Sequence, residues 1–123
     1  SGAGTQTAGL AFGGDTDPGL QNTSEEYDGT SWTEGNNLNT ARKSIGGFGT
    51  QTAGVAVSAE VEHYDGTSWT AAPSLGVPRL ALTEGKAGTQ TLGVVFGGDT
   101  PPPVSNVTEE FALAATARSV DTT

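Results

Sequence analysis

Bulky and small residues alternate with a period of two in three separate stretches, and each stretch predicts one short β-strand. In the first, Gln6, Ala8, Leu10 and Phe12 alternate with Thr7, Gly9, Ala11 and Gly13. In the second, Ala53, Val55 and Val57 stand opposite Thr52, Gly54 and Ala56; in the third, Leu92, Val94 and Phe96 stand opposite Thr91, Gly93 and Val95. One face is bulky and the other small, yet both are largely apolar. A strand of that kind needs cover on both sides. Sheets stacked with the bulky face of one on the small face of the next satisfy this. Asp28-Gly29 and Asp65-Gly66 then predict a tight turn at positive φ, with a tyrosine before it and a tryptophan after. No stretch carries a helical period.

The strands belong to a repeat. Gly4-Thr5-Gln6-Thr7 returns as Gly49-Thr50-Gln51-Thr52 and Gly88-Thr89-Gln90-Thr91. Tyr27-Asp28-Gly29-Thr30-Ser31-Trp32-Thr33 returns as Tyr64-Asp65-Gly66-Thr67-Ser68-Trp69-Thr70, and Phe12-Gly13-Gly14-Asp15-Thr16 as Phe96-Gly97-Gly98-Asp99-Thr100. Identity over such runs marks duplication. The copies are unequal. From the first glycine of Gly-Thr-Gln-Thr to the following aromatic is 23 residues in the first and third copies and 15 in the second. The second copy has lost its Gly-Gly loop. From the aromatic to the next arginine is 15 residues in the first two copies but 7 in the third, Phe111 to Arg118, which lacks the tryptophan segment.

A Gly-Gly pair closing a hydrophobic strand, then Tyr-Asp, then Trp, then a small-residue loop ending on Arg, resembles the blade of a kelch-type β-propeller. The residues are Gly13, Gly14, Tyr27, Trp32 and Arg42 in the first copy. They are Tyr64, Trp69 and Arg79 in the second, and Gly97, Gly98, Phe111 and Arg118 in the third. The wording of the repeats is also similar to that of uncharacterised environmental bacterial and phage-associated proteins. The resemblance implies an all-β fold of four-stranded antiparallel blades, about three per chain, completed by blade or strand sharing between molecules. It divides residues 1–123 into blades at 1–41, 42–78 and 79–123. The first then starts near its second strand, with Ser1-Gly2-Ala3 the end of an inner one. Residues 113–121 either form the missing outer strand of the third blade or, as the alignment of Thr116-Ala117-Arg118 with Thr40-Ala41-Arg42 favours, an inner strand continued by another chain. Closed propellers need at least four blades, so three leave one bulky and one small face unpaired.

Composition narrows the partners. Nineteen glycines and a 33% hydrophobic content suit short strands and turns rather than one large core. The net charge of −9 repels phosphate backbones, which argues against nucleic acid. The absence of cysteine excludes disulfides and thiolate chemistry, and no apolar run is long enough to insert in a membrane. The start at Ser1 raises the expectation of a trimmed or longer precursor.

Chemistry is sparse. His63 is the only histidine, so neither a histidine metal cluster nor a catalytic triad can assemble within the chain. Asp15, Asp17 and Asp99 in the Gly-Gly loops are calcium candidates, with Glu25, Glu26, Glu109 and Glu110 nearby, although a solvated acidic rim explains them as well. Asn22 and Asn106 satisfy the glycosylation pattern, the latter beside Pro101-Pro102-Pro103. Arg42, Arg79 and Arg118 suit forked hydrogen bonds to carbonyls or to an aspartate of a neighbouring blade. Trp32 and Trp69 suit packing between blades, or stacking on sugars if exposed. No catalytic or cofactor-binding residue stands out. The expectation is a non-enzymatic extracellular, cell- or virion-surface subunit that associates with itself into a ring or filament. The alternatives are a glycan- or receptor-binding module and a fragment of a longer propeller.

Overall fold

The computed structural model describes residues 1–82, 86–99, 106–112 and 118–120, with Lys86, Phe111, Ala112 and Arg118–Val120 described by their backbone alone. Twelve strands form three antiparallel four-stranded sheets, and the described residues contain no helix. The first sheet runs β1 (Gly2–Thr5), β2 (Ala8–Thr16), β3 (Gly19–Tyr27) and β4 (Trp32–Glu34). The second runs β5 (Gly46–Thr50), β6 (Ala53–Val57), β7 (Val61–Tyr64) and β8 (Trp69–Ala72). The third runs β9 (Lys86–Gly88), β10 (Leu92–Phe96), β11 (Thr108–Ala112) and β12 (Arg118–Val120). Within each sheet neighbours in sequence are neighbours in space. The first strands of successive sheets, β1, β5 and β9, lie side by side, which is the arrangement of propeller blades.

The Gly-Thr-Gln-Thr motif is the turn between the first and second strands of every blade. Its glycine, last or next to last in the first strand, has positive φ: +96° at Gly4, +96° at Gly49 and +123° at Gly88. A Cβ at Gly4 would lie 2.2 Å from the Ala8 carbonyl oxygen, so no other residue closes this turn unchanged. The expected entry near the second strand is therefore corrected. β1 is a paired inner strand, with Gly2 opposite Ala11 and Thr5 opposite Ala8, and Gln6-Thr7 are turn residues rather than part of the alternating strand.

The inner-strand reading of the carboxyl-terminal segment is corrected too. β12 pairs with β11 through Thr108–Val120, Glu109–Ser119 and Glu110–Arg118. It occupies the outer position that the missing tryptophan hairpin leaves open, where the edge backbone of β11 would otherwise lack a partner. Residues 113–117, which carry part of that alignment, and the Pro101–Pro103 loop lie outside the described residues. The boundaries at 41/42 and 78/79 fall in the segments linking sheets.

Two apolar clusters hold the sheets together, one at each junction. Between the first and second sheets lie Leu10, Phe12, Leu38, Ile45, Ala56, Tyr64 and Trp69. Between the second and third lie Phe48, Val55, Val57, Val61, Leu75, Leu82 and Val95. The core is thus divided between interfaces, as in repeat proteins whose units contact only their neighbours.

Candidate functional site

The junctions between blades are where the chain concentrates its buried polar groups, and they repeat. The apolar part is a bulky face set on a small one. Leu10 and Phe12 project from β2 onto Gly54, Ala56, Tyr64 and Trp69 of the second sheet. A Cβ at Gly54 would stand 2.7 Å from Leu10 Cδ2, so the glycine makes room for that leucine. The rings of Phe12 and Trp69 meet edge to face at 4.9 Å. At the next junction Val55 and Val57 take the places of Leu10 and Phe12, and Val95 takes that of Ala56.

The polar part is a clasp made by the segment linking two sheets. Leu38 is buried in the first junction, and its neighbour Asn39 donates its backbone N–H to Glu62 Oε1 at 2.7 Å. Three residues later Arg42 Nη2 donates to Glu62 Oε2 at 2.7 Å. Arg42 Nη1 reaches Ser58 Oγ at 3.2 Å and the Glu60 carbonyl at 2.7 Å. The second linker repeats this. Leu75 is buried, Gly76 donates its N–H to Glu109 Oε1 at 2.7 Å, and Arg79 Nη2 donates to Glu109 Oε2. Arg79 Nη1 bonds the carbonyls of Gly97 at 2.9 Å and Val107 at 2.8 Å. The side chains of Arg79 and Glu109 are wholly buried. Both arginines are therefore structural, and their acidic partner is a glutamate of the following sheet, where an aspartate was one expectation.

A glutamine completes each junction. Gln51 Nε2 donates to the carbonyls of Gly9 at 3.0 Å and Tyr27 at 2.7 Å, both in the preceding sheet. Gln90 Nε2 does the same to Gly54 at 3.1 Å and Tyr64 at 2.7 Å. The Tyr64 hydroxyl donates to Glu26 across the first junction, and burial with this carboxylate beside it raises the phenol above its ordinary pKa.

Two matching faces remain open. On the first sheet Trp32 is 53% exposed and Glu25 is exposed, whereas the equivalent Trp69 and Glu62 are 5% and 2% exposed. The Tyr27–Trp32 ring pair, 5.1 Å apart at 31°, reproduces the Tyr64–Trp69 pair, 5.0 Å apart at 32°, without a sheet to cover it. On the third sheet Leu92 and Phe96 are 71% and 46% exposed, at the positions where β6 has Ala53 and the buried Val57.

The other candidates do not converge. Among the described residues no group of three or more acidic or histidine side chains is placed to hold a metal. Asp15 pairs with Lys43 at 2.6 Å, and Asp99 bridges its backbone to Leu80 on the third blade, away from Asp15 and Asp17. The acidic rim is corrected in part, since Glu26 and Glu109 are engaged at junctions. The Asn22 amide donates to the Leu38 carbonyl at 3.3 Å, while Asn106 is exposed. Gly13, Gly14, Gly97 and Gly98 all have positive φ. His63 is half-buried, and burial lowers its pKa. Asp28 and Asp65 accept the N–H groups of Ser31 and Thr30, and of Ser68 and Thr67, which lowers both carboxyls. Phe111 and Arg118 lie on β11 and β12. The arginines of the clasp stand out in the sequence, but the glutamines, glutamates and leucines that complete each junction escape a motif reading. Their signals are the glutamine of every Gly-Thr-Gln-Thr, the glutamate two places before each repeat aromatic, and the leucine four places before Arg42 and Arg79.

No protein-family model matches the chain, and no curated protein matches it. Among solved structures it is similar to that of YjhT, a β-propeller-like fold, with a TM-score of 0.76 at 10% sequence identity. The similarity covers 98% of this chain and 44% of YjhT, so the chain spans less than half the length of that protein. At this identity the likeness is one of fold alone.

Proposed function

We propose that the chain is a non-enzymatic structural module whose blades are completed by other copies of itself, stacked head to tail into a ring or filament. The observation that carries this reading is that its two open faces are the two halves of its own internal junction. Leu92, Val94 and Phe96 occupy the places of Leu10 and Phe12 and their neighbour Ala8, while Gly9, Ala11, Tyr27 and Trp32 repeat Gly54, Ala56, Tyr64 and Trp69. Exposed apolar faces of this kind mark interaction sites. A heterologous contact of one with the other closes a ring or propagates a fibre according to its rotation. The buried ionic groups, Arg42, Glu62, Arg79 and Glu109, are all spent on linking blades, which fits a structural role better than a catalytic one.

Sedimentation over a wide range of chain concentration tests the reading. Concentration-dependent assembly is expected, and Phe96→Asp should abolish it while leaving the fold intact by circular dichroism. A clean monomer at high concentration sinks it. Electron microscopy of the assembled sample then separates rings from filaments. A second reading rests on the share of YjhT that is matched: further blades of one longer polypeptide cover the same faces. The mass of the protein in its native source distinguishes the two.

A further inference from the structure

Blade 1 carries an arginine socket that no arginine side chain among the described residues fills. In the second and third blades a glutamate on the third strand takes a linker N–H on one oxygen and a guanidinium on the other. The guanidinium is shared with two acceptors beside it: Ser58 Oγ and the Glu60 carbonyl in one blade, the carbonyls of Gly97 and Val107 in the other. The same register in the first blade places Glu25 on β3, with Gly13 in the position of Gly97 and Thr23 in that of Val107. Glu25 is opposite Ala11, as Glu62 is opposite Ala56, so it projects from the open small face. Among the described residues its carboxylate has no hydrogen-bond or ionic partner. A second observation points to a cation. Glu25 stands directly across from Glu34 on β4, where the second blade has Glu62 across from Ala71. Like charges directly opposite on neighbouring strands repel, and a guanidinium between them relieves that repulsion.

We infer that Glu25 is the anchor of a binding site for an arginine-bearing extended segment, with a leucine four residues before the arginine. This is the pattern the chain uses twice, as Leu38-Asn39-Thr40-Ala41-Arg42 and Leu75-Gly76-Val77-Pro78-Arg79. The leucine enters the apolar gap beside the covering sheet, the next N–H bonds one Glu25 oxygen and the arginine forks onto the other. The site lies on the face assigned to stacking in the proposed function, but it adds a component that the third sheet alone does not bring.

The test is a peptide with the sequence of residues 35–45, titrated into the full chain and followed by calorimetry. One saturable site is expected. Replacing the peptide arginine by alanine, or Glu25→Gln in the chain, should weaken binding by roughly tenfold or more. Asp17→Asn, an equal charge change on an exposed loop, should leave it unaltered. Absence of saturable binding overturns the inference, as does binding indifferent to Glu25→Gln or equally sensitive to Asp17→Asn. The two readings fail separately. A chain that stays monomeric yet binds the peptide defeats the stacking reading alone, and a chain that assembles but ignores the peptide defeats only this one.

Discussion

Glu109 shows most directly what single residues contribute to this fold. Its carboxylate and the Arg79 guanidinium are fully buried, and every near oxygen is matched to a donor from the linker. Glu109→Gln leaves a buried guanidinium without its counter-charge, a loss of about 3–5 kcal/mol. Since small domains are stable by only about 5–15 kcal/mol, urea denaturation should find this variant close to unfolding. Replacing the pair together, Arg79→Met with Glu109→Leu, should recover part of the loss, because the apolar pair carries no desolvation cost. The titratable groups also set how stability varies with pH. The backbone N–H groups at Asp28 and Asp65 lower both carboxyls from 3.8, so the folded chain binds these protons less readily than the unfolded one. Their contribution is complete above 3.8 and is lost as pH falls through the lowered values. Burial lowers His63 from 6.5, so the unfolded chain protonates first and stability begins to decline just below that pH. Urea midpoints measured against pH should show both limbs, with His63→Gln removing the upper one and Asp28→Asn with Asp65→Asn shrinking the lower.

At the scale of elements, the turn after each first strand has a second task besides reversing the chain. Gln51 holds two carbonyls of the preceding sheet, so Gln51→Ala should cost roughly 1–2 kcal/mol in urea denaturation of the monomer. Gln6 occupies the same turn of the first blade and is exposed, so Gln6→Ala should change monomer stability by less than about 0.5 kcal/mol. Equal effects would mean that the glutamine acts within its own blade. Much of this level was legible in the sequence. The period-two strands, the Asp-Gly turns and the bulky-on-small stacking follow from local pattern, and Gly29 and Gly66 have the positive φ that those turns require. The clasp was not legible in the same way, because Arg42 meets Glu62 across 20 residues and Arg79 meets Glu109 across 30. Pairing at that separation depends on sheet register, which a motif read along the chain does not contain. The carboxyl-terminal strand misled for a related reason. Thr116-Ala117-Arg118 repeats the letters of a linker, but a three-residue match carries less weight than the open backbone edge of β11 that Arg118–Val120 fills.

For the whole molecule, the two tryptophans report separately on the inside and the outside of the stack. Trp69 is 5% exposed against Phe12, and Trp32 is 53% exposed in the same setting without its phenylalanine. Phe96 of a second copy, itself 46% exposed and equivalent to Phe12, is the ring that would meet it. In the dilute monomer a neutral quencher such as acrylamide should therefore reach one of the two fluorophores. As concentration rises and the faces close, that accessible fraction should fall, and Phe96→Asp should hold it at its monomer value. Trp32→Phe provides the internal reference: its single remaining emission, from Trp69, should resist the quencher at every concentration. If Trp32 stays accessible in an assembled sample, the copies meet through some other surface. The open faces would then need a different cover, such as the blades of a longer polypeptide. The measurement thus asks whether the geometry of the internal junctions, repeated once more between chains, is what completes the fold.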